Sequence, residues 1–423
     1  MRRLTAALTA TVAIVLAAAP PALARPHRGA CLPGHPSGPK CWIWTAKVDS
    51  VADGDTVFAD IDGDGTKHLA HVRLTGFNAT ELTHYALKPS ERRGECHAVE
   101  ATALMEKMVG RSHRRVRLVA QHLNARSGRR IRRSLQVRIG GRWQDTGPTM
   151  LREGEALWMR NNSEWAWTRS YSLIAEKAAA RGVGLYNTAS CGPGPDAGAR
   201  LRVRVNWDAD GDDMKNVNGE WIEVSNLESH PISLRGWWVR VSDARRYKLP
   251  SWTTVPANGR IRLHMGHGSS RGTNLYWGFS RPVFSPVGDG GYLFDPQGDL
   301  RAWMIYPCRV SCTDPLRGRV HMSASWHGLP EYAAIRNVSG APVDLAGYAL
   351  ELPSRRYEFG SNSVLDPGET MRVDVQGDRA DDSRLHRHYG FDDYLLSDRG
   401  GRLTLQGYTD VRVACTSWGN VSC

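Results

Sequence analysis

Residues 51–82 read VADGDTVFADIDGDGTKHLAHVRLTGFNATEL. Two runs of alternating apolar residues, Val51 to Ala59 and His71 to Phe77, flank a polar turn, the pattern of a β-hairpin with one buried face. Asp53 and Asp55 stand at one end of it, Arg73 and Glu81 at the other. Residues i and i+2 of a strand share a face, so the two aspartates can approach one hard cation together. Arg73, set inside the apolar alternation Val72 to Leu74, can grip a phosphate with two parallel N–H donors. Glu81, just after the strand, can act as general base on a water. Taken singly, each has a plainer explanation: a solvated acidic turn, a solvated strand arginine. Their spacing together points to phosphodiester chemistry.

The rest of the chain bounds that idea. Its 423 residues imply two to four domains at about 150 residues each. Met1-Arg2-Arg3, an apolar run from Leu4 to Ala19 and the ending Ala22-Leu23-Ala24 form a secretory signal of bacterial type, residues 1–24, with cleavage expected after Ala24. The run is shorter than the roughly 20 residues of a membrane span. A secreted, extracellular protein without a transmembrane segment is therefore expected. All eight cysteines follow the signal, and in an oxidising compartment an even number argues for disulfides. Order along the chain suggests Cys31–Cys41, Cys96–Cys191, Cys308–Cys312 and Cys415–Cys423, although spacing alone does not fix connectivity. The net charge of +12 favours polyanionic partners such as nucleic acid or the cell envelope.

Residues 25–41, rich in Pro, Gly and His, read as an irregular leader. Residues 42–189 mix strand alternation with helical spacing: Cys96 to Val109 places Val99, Ala103, Leu104 and Met108 on one helical face, and Tyr171 to Arg181 is a helix stopped by Gly182. Strand-like runs lie at Arg115 to Ala120 and Ser134 to Ile139. An α+β domain built on a small barrel follows. Residues 190–199 are a linker by composition. Beyond them the helical signal stops and the chain repeats itself. Glu220 to Asn226 matches Glu331 to Asn337, and Pro231 to Trp237 matches Pro342 to Tyr348. The period of about 111 residues suits an immunoglobulin-like all-β sandwich, giving one copy over 200–312 and a second over 313–423.

Asp53-Gly54-Asp55-Thr56, followed by Arg73 and then Glu81, resembles the staphylococcal nuclease (thermonuclease) family. The likeness continues through Glu106 to Val109, Arg133 to Val137, Met150 to Gly154 and Ala175 to Tyr186. It implies an OB-fold barrel with helices and a Ca²⁺-dependent endonuclease acting on DNA and RNA. Asp55 would be the metal ligand with Asp53 in support; Arg73 and Arg133 would hold the phosphate; Glu81 would handle the water. Arg129, after Gly128, competes with Arg133 for the second arginine role. Asn78 stands where the family has a second metal carboxylate, so Mg²⁺ or another ion could replace Ca²⁺. Thr80 stands where the family has proline before its glutamate. The two repeats resemble lamin tail domains through Asn218-Gly219-Glu220-Trp221, Asn226 and Leu234 to Trp237. That likeness implies binding or tethering.

From Arg111 to Arg142 there are many arginines and no acidic residue, a groove suited to a phosphate backbone, with Arg129, Arg130 and Arg132 as contacts. Trp158, Trp165 and Trp167 suit core or rim packing better than base stacking, and Asp60 to Gly65 and Asp208 to Asp213 suit turns better than calcium loops. Two functions compete: a secreted metal-dependent endonuclease, and a non-catalytic nucleic-acid or envelope binder whose nuclease-like domain has decayed. Survival of Arg73, Glu81 and a strand arginine favours the enzyme.

Overall fold

The computed structural model describes residues 26–35, 39–161, 164–191, 199–210, 213, 215–285, 288–307, 316–346, 348–352, 355–360, 362–407 and 412–423. The signal at 1–24 and the expected Cys308–Cys312 bridge lie outside them. The protein is mostly β-strand, in several sheets. Cys31–Cys41, Cys96–Cys191 and Cys415–Cys423 are bonded as their order suggests. Among the described residues no helix is long and apolar enough to cross a membrane.

The first unit is a ring of five strands: β1 (Lys40–Asp53), β2 (Thr56–Ile61), β3 (Ala70–Leu74), β4 (Arg115–Ala120) and β5 (Arg130–Ile139). They pair in the order β1-β2-β3-β5-β4, and β4 returns to β1. Closure depends on β1. Its first half pairs with β4 and its second half with β2, with register shifts between Val48 and Ser50 and between Val51 and Asp53 that bend the strand. The ring interior holds Val57, Val72, Leu74, Leu118 and Leu135, packed with helix α1 (Ala98–Arg111) in one core.

Helix α1 does not bury the stripe its spacing predicts. It seats Ala98, Ala101, Thr102, Met105, Met108 and Val109, while Val99, Ala103 and Leu104 are half-buried. Ala101 on the seated face lies against Gly54. A Cβ on Gly54 would lie 2.7 Å from the Cβ atoms of both Ala79 and Ala101. Two further helices, α2 (Gly147–Arg152) and α3 (Thr168–Arg181), complete the unit, and α3 stops at Gly182 with φ +61°.

The two repeats share one topology. The first has sheets ordered β6-β7-β10-β11 and β9-β8-β12-β13, formed by β6 (Leu201–Asn206), β7 (Trp221–Asn226), β8 (Trp238–Val241), β9 (Arg246–Lys248), β10 (Arg260–His264), β11 (Asn274–Tyr276), β12 (Gly288–Phe294) and β13 (Leu300–Pro307). The second repeats both four-stranded orders with strands from Val320–Ser325 to Arg412–Gly419. The sequence matches have matching work. Glu220 accepts from the backbone N–H groups of Val283 and Phe284, and Glu331 from those of Leu395 and Leu396. Asn226 and Asn337 each donate to carbonyls of the turns beside them. Each repeat thus pins a loop by a buried carboxylate and a turn by a buried amide.

The first repeat is fused to the barrel unit by a shared apolar core. Leu157, Ala178, Leu185 and Tyr186 pack with Tyr292, Phe294 and Leu300. Polar bonds flank it: Arg160 pairs with Asp289 at 3.2 Å, its backbone N–H donates to the Ser242 carbonyl, and Arg301 donates to the Thr188 carbonyl.

Two tests follow from this packing. Gly54→Ala should destabilise the chain by about 1–3 kcal/mol in urea unfolding, the usual cost of forcing volume into a filled contact. Burial pushes the Glu220 carboxyl up to about 8, with Asp213 and Asp289 adding to the shift against the two N–H donors. The folded state therefore binds a proton that the unfolded state has lost between roughly pH 4.5 and 8, and stability falls as pH rises through that window. Melts of Glu220→Gln should show a shallower fall between pH 5 and 8 than the native chain; an identical slope would show that Glu220 stays ionised.

Candidate active site

The hairpin brings its acidic and basic ends together. Thr56 in β2 lies opposite Arg73 in β3, so the turn carrying Asp55 stands beside the arginine. Asp55 is fully buried and forms a short ion pair with Arg73. The Thr56 hydroxyl donates to the same oxygen at 3.0 Å. The other oxygen accepts from the Ala79 N–H at 2.7 Å and from the Asn78 amide at 3.2 Å. Four donors use the four lone-pair directions of the carboxylate. Asp55 serves as the anchor that fixes Arg73.

Asp53 is buried and accepts from the Asp55 N–H at 2.9 Å. Desolvation first, then the charges of Asp55 and Glu81, push its carboxyl up to about 7 against the pull of Arg73. Glu81 is the open group of the set: its side chain is 57% exposed, and its Oε1 lies 3.7 Å from the Arg73 Nη1. Its backbone N–H donates to Glu95, which returns a bond from its own N–H to the Glu81 carbonyl, so the backbone of residue 81 is held on both sides.

Of the residues expected to hold a cation, Asp55 and Asn78 are engaged as arranged, while Asp53 has one oxygen on the Asp55 N–H. Asp55 has no uncommitted lone pair, and the Asn78 amide faces two ways at once. Its Nδ2 donates to Asp55 and to the Ala79 carbonyl, while its Oδ1 accepts from Arg240 Nη1 at 2.8 Å. A carboxylate at position 78 would meet Asp55 with like charge, whereas an amide satisfies an anion on one side and a guanidinium on the other. That accounts for Asn78 on physical grounds. An ion here would have to displace Arg73 or the amide.

The second arginine of the barrel differs from the expected one. Arg133 is buried, stacks over Trp44 at 4.3 Å and gives its N–H groups to the carbonyls of Leu123, Ala125 and Arg132. Burial lowers its pKa to about 10, against the pull of Glu164. It is tied into the wall. Arg132 is the residue opposite Arg73 in the parallel pairing of β3 and β5. Burial, and to a smaller degree the Arg73 charge, push it below its ordinary pKa against the pull of Glu164. A one-residue step along a strand exchanges faces, so Arg132 shares the face of Arg73 and Arg133 takes the opposite one. Arg129 is exposed at the turn after Gly128, and Arg130 opens β5 half-buried. Trp158, Trp165 and Trp167 are all buried packing residues.

Sequence inspection missed the other wall. A shallow cleft with a cavity of about 30 Å³ is lined by Asn78, Thr80, Glu81 and Glu95 from the first unit and by Trp238, Arg240 and Arg246 from the first repeat. Trp238 is stacked on Phe294 at 3.9 Å, with Arg246 over it at 4.4 Å. A signal for Arg240 did exist: Val239-Arg240-Val241 sets an arginine inside an apolar strand, as Val72-Arg73-Leu74 does.

Comparison with known proteins places one part of this assembly. No curated protein matches the chain. A family model, the Lamin Tail Domain, matches residues 201–307. The repeat that supplies the second wall of the cleft is a lamin tail domain.

Proposed function

We propose that the protein is a secreted endonuclease that hydrolyses phosphodiester bonds of DNA and RNA at the hairpin site. The observation that carries this is the placing of Glu81 Oε1, exposed, 3.7 Å from an Arg73 guanidinium that Asp55 fixes from behind. A general base beside a preorganised phosphate clamp is the minimum hydrolysis requires. The closed five-strand ring with α1 packed in its core supports an OB-fold of the thermonuclease kind. In this mechanism Arg73 donates to the phosphate oxygens and Arg132 adds positive potential across the strand pair. Glu81 takes the proton of the attacking water as the phosphorus–oxygen bond forms, and the Arg73 charge offsets the negative charge growing on the phosphate oxygens. The bond from phosphorus to the 5′-oxygen breaks, that oxygen takes a proton from solvent and leaves as a 5′-hydroxyl, and the other product carries a 3′-phosphate. The hydrolytic step rests on protein groups alone.

The second reading is a non-catalytic binder of nucleic acid or the cell envelope, and the saturated Asp55 is the observation in its favour. One assay separates them. Plasmid and RNA are incubated with the mature protein, with Ca²⁺, with Mg²⁺ and with chelator, beside Glu81→Gln. The enzyme should cleave both substrates to 3′-phosphate ends, and Glu81→Gln should lower the rate by about 10²–10⁴-fold. Cleavage that persists in chelator is the outcome the donor set calls for. A rate seen only with Ca²⁺ would mean that the ion displaces Arg73 from Asp55. Equal inertness of both proteins in every arm would leave the binder.

A further inference from the structure

Arg240 is 2% exposed, and among the described residues it forms no ion pair. Its one hydrogen bond is Nη1 to the neutral amide oxygen of Asn78, and its Nε and Nη2 have no partner. The face of Tyr292 lies 5.9 Å from the guanidinium carbon. A guanidinium removed from water without a carboxylate partner is costly to the free protein. Such a group is retained where an anion completes it. Three facts say which anion. Arg240 lines the same cleft as Glu81. Through Asn78 it is one residue removed from Asp55, the anchor of Arg73. Arg246, its partner on the neighbouring strand, brings a second positive charge to the same cleft.

We propose that the cleft between the barrel and the lamin tail domain is a single phosphodiester site, in which Arg240 grips the phosphate opposite Arg73. This rests on the phosphodiester reading of the hairpin and extends it: the β-sandwich at 201–307 is a wall of the site. Asn78 is the hinge of the arrangement, turning its oxygen to the Arg240 cation and its nitrogen to the Asp55 anion. The substrate class is a nucleic-acid strand whose phosphate enters between the two units, with Trp238 beside it as an apolar rim. Burial, which lowers the Arg240 pKa to about 10, leaves it fully charged at neutral pH.

The test uses the whole mature chain and three readouts: plasmid cleavage, binding of a four-nucleotide single strand, and thermal melting. Arg240→Met keeps the length of the side chain and removes the charge. Its melting temperature should equal or exceed that of the native chain, because an unpaired buried charge has gone. Its cleavage rate should fall by about 10²-fold. Its oligonucleotide affinity should fall, with the slope of log K on log salt reduced by about 0.7 for the lost phosphate contact. Arg240→Lys should restore the salt slope but only part of the rate, since a point charge lacks the planar fork. Unchanged rate, affinity and slope in Arg240→Met would overturn the proposal while leaving the nuclease standing. Should Arg240→Met fail to fold, Arg240→Lys decides alone: a native rate overturns the proposal, and a reduced rate with native slope supports it. Should the native chain itself cleave nothing, the nuclease reading falls and binding decides. Affinity lost in Arg240→Met then supports an anion site, and affinity retained overturns it.

Discussion

The ion pair between Arg73 and Asp55 is the contact on which the site depends. Both groups are buried, and burying either without a partner would be costly. Together, with Thr56, Ala79 and Asn78 filling the remaining acceptor directions of Asp55, they form a satisfied network. Its consequence is stiffness. Arg73 cannot swing to solvent without stranding a carboxylate, so its remaining N–H groups are held at the rim. Gly54 makes the network possible, because only a residue without a side chain lets the turn sit against Ala79 and Ala101.

Around that pair Arg132 lies across the strands and Arg240 comes from the neighbouring domain, where it meets the Asn78 amide oxygen. Under the proposed function a phosphodiester would supply the anion opposite Arg240. The lamin tail domain is held against the first unit by packing. Its shared core with Leu157, Leu185 and Tyr186 holds β8 where Arg240 meets Asn78.

Much of this was legible in the sequence, for definable reasons. The hairpin could be read because its alternation and its chemistry share one short stretch. The duplicated sandwiches could be read because Glu220 and Glu331, and Asn226 and Asn337, recur with the same loop-pinning work. Three of the four cysteine pairs fell in chain order. What failed depended on which face a side chain takes. Arg132 and Arg133 are neighbours on a strand, and composition cannot say which one turns toward Arg73. The seated face of α1 includes Ala101, which meets Gly54 from more than 40 residues earlier in the chain. Arg240 was overlooked because its partner Asn78 lies 162 positions away.

The most direct measurement is a crystal structure of the mature chain with a short single-stranded oligonucleotide bound, using Glu81→Gln to prevent turnover. The account places one phosphorus within hydrogen-bonding reach of both the Arg73 and Arg240 guanidinium groups, with a water or the substituted side-chain amide at position 81 on its open side. A strand bound elsewhere, along the exposed Arg129 turn for example, with Arg240 still facing only Asn78, would contradict it.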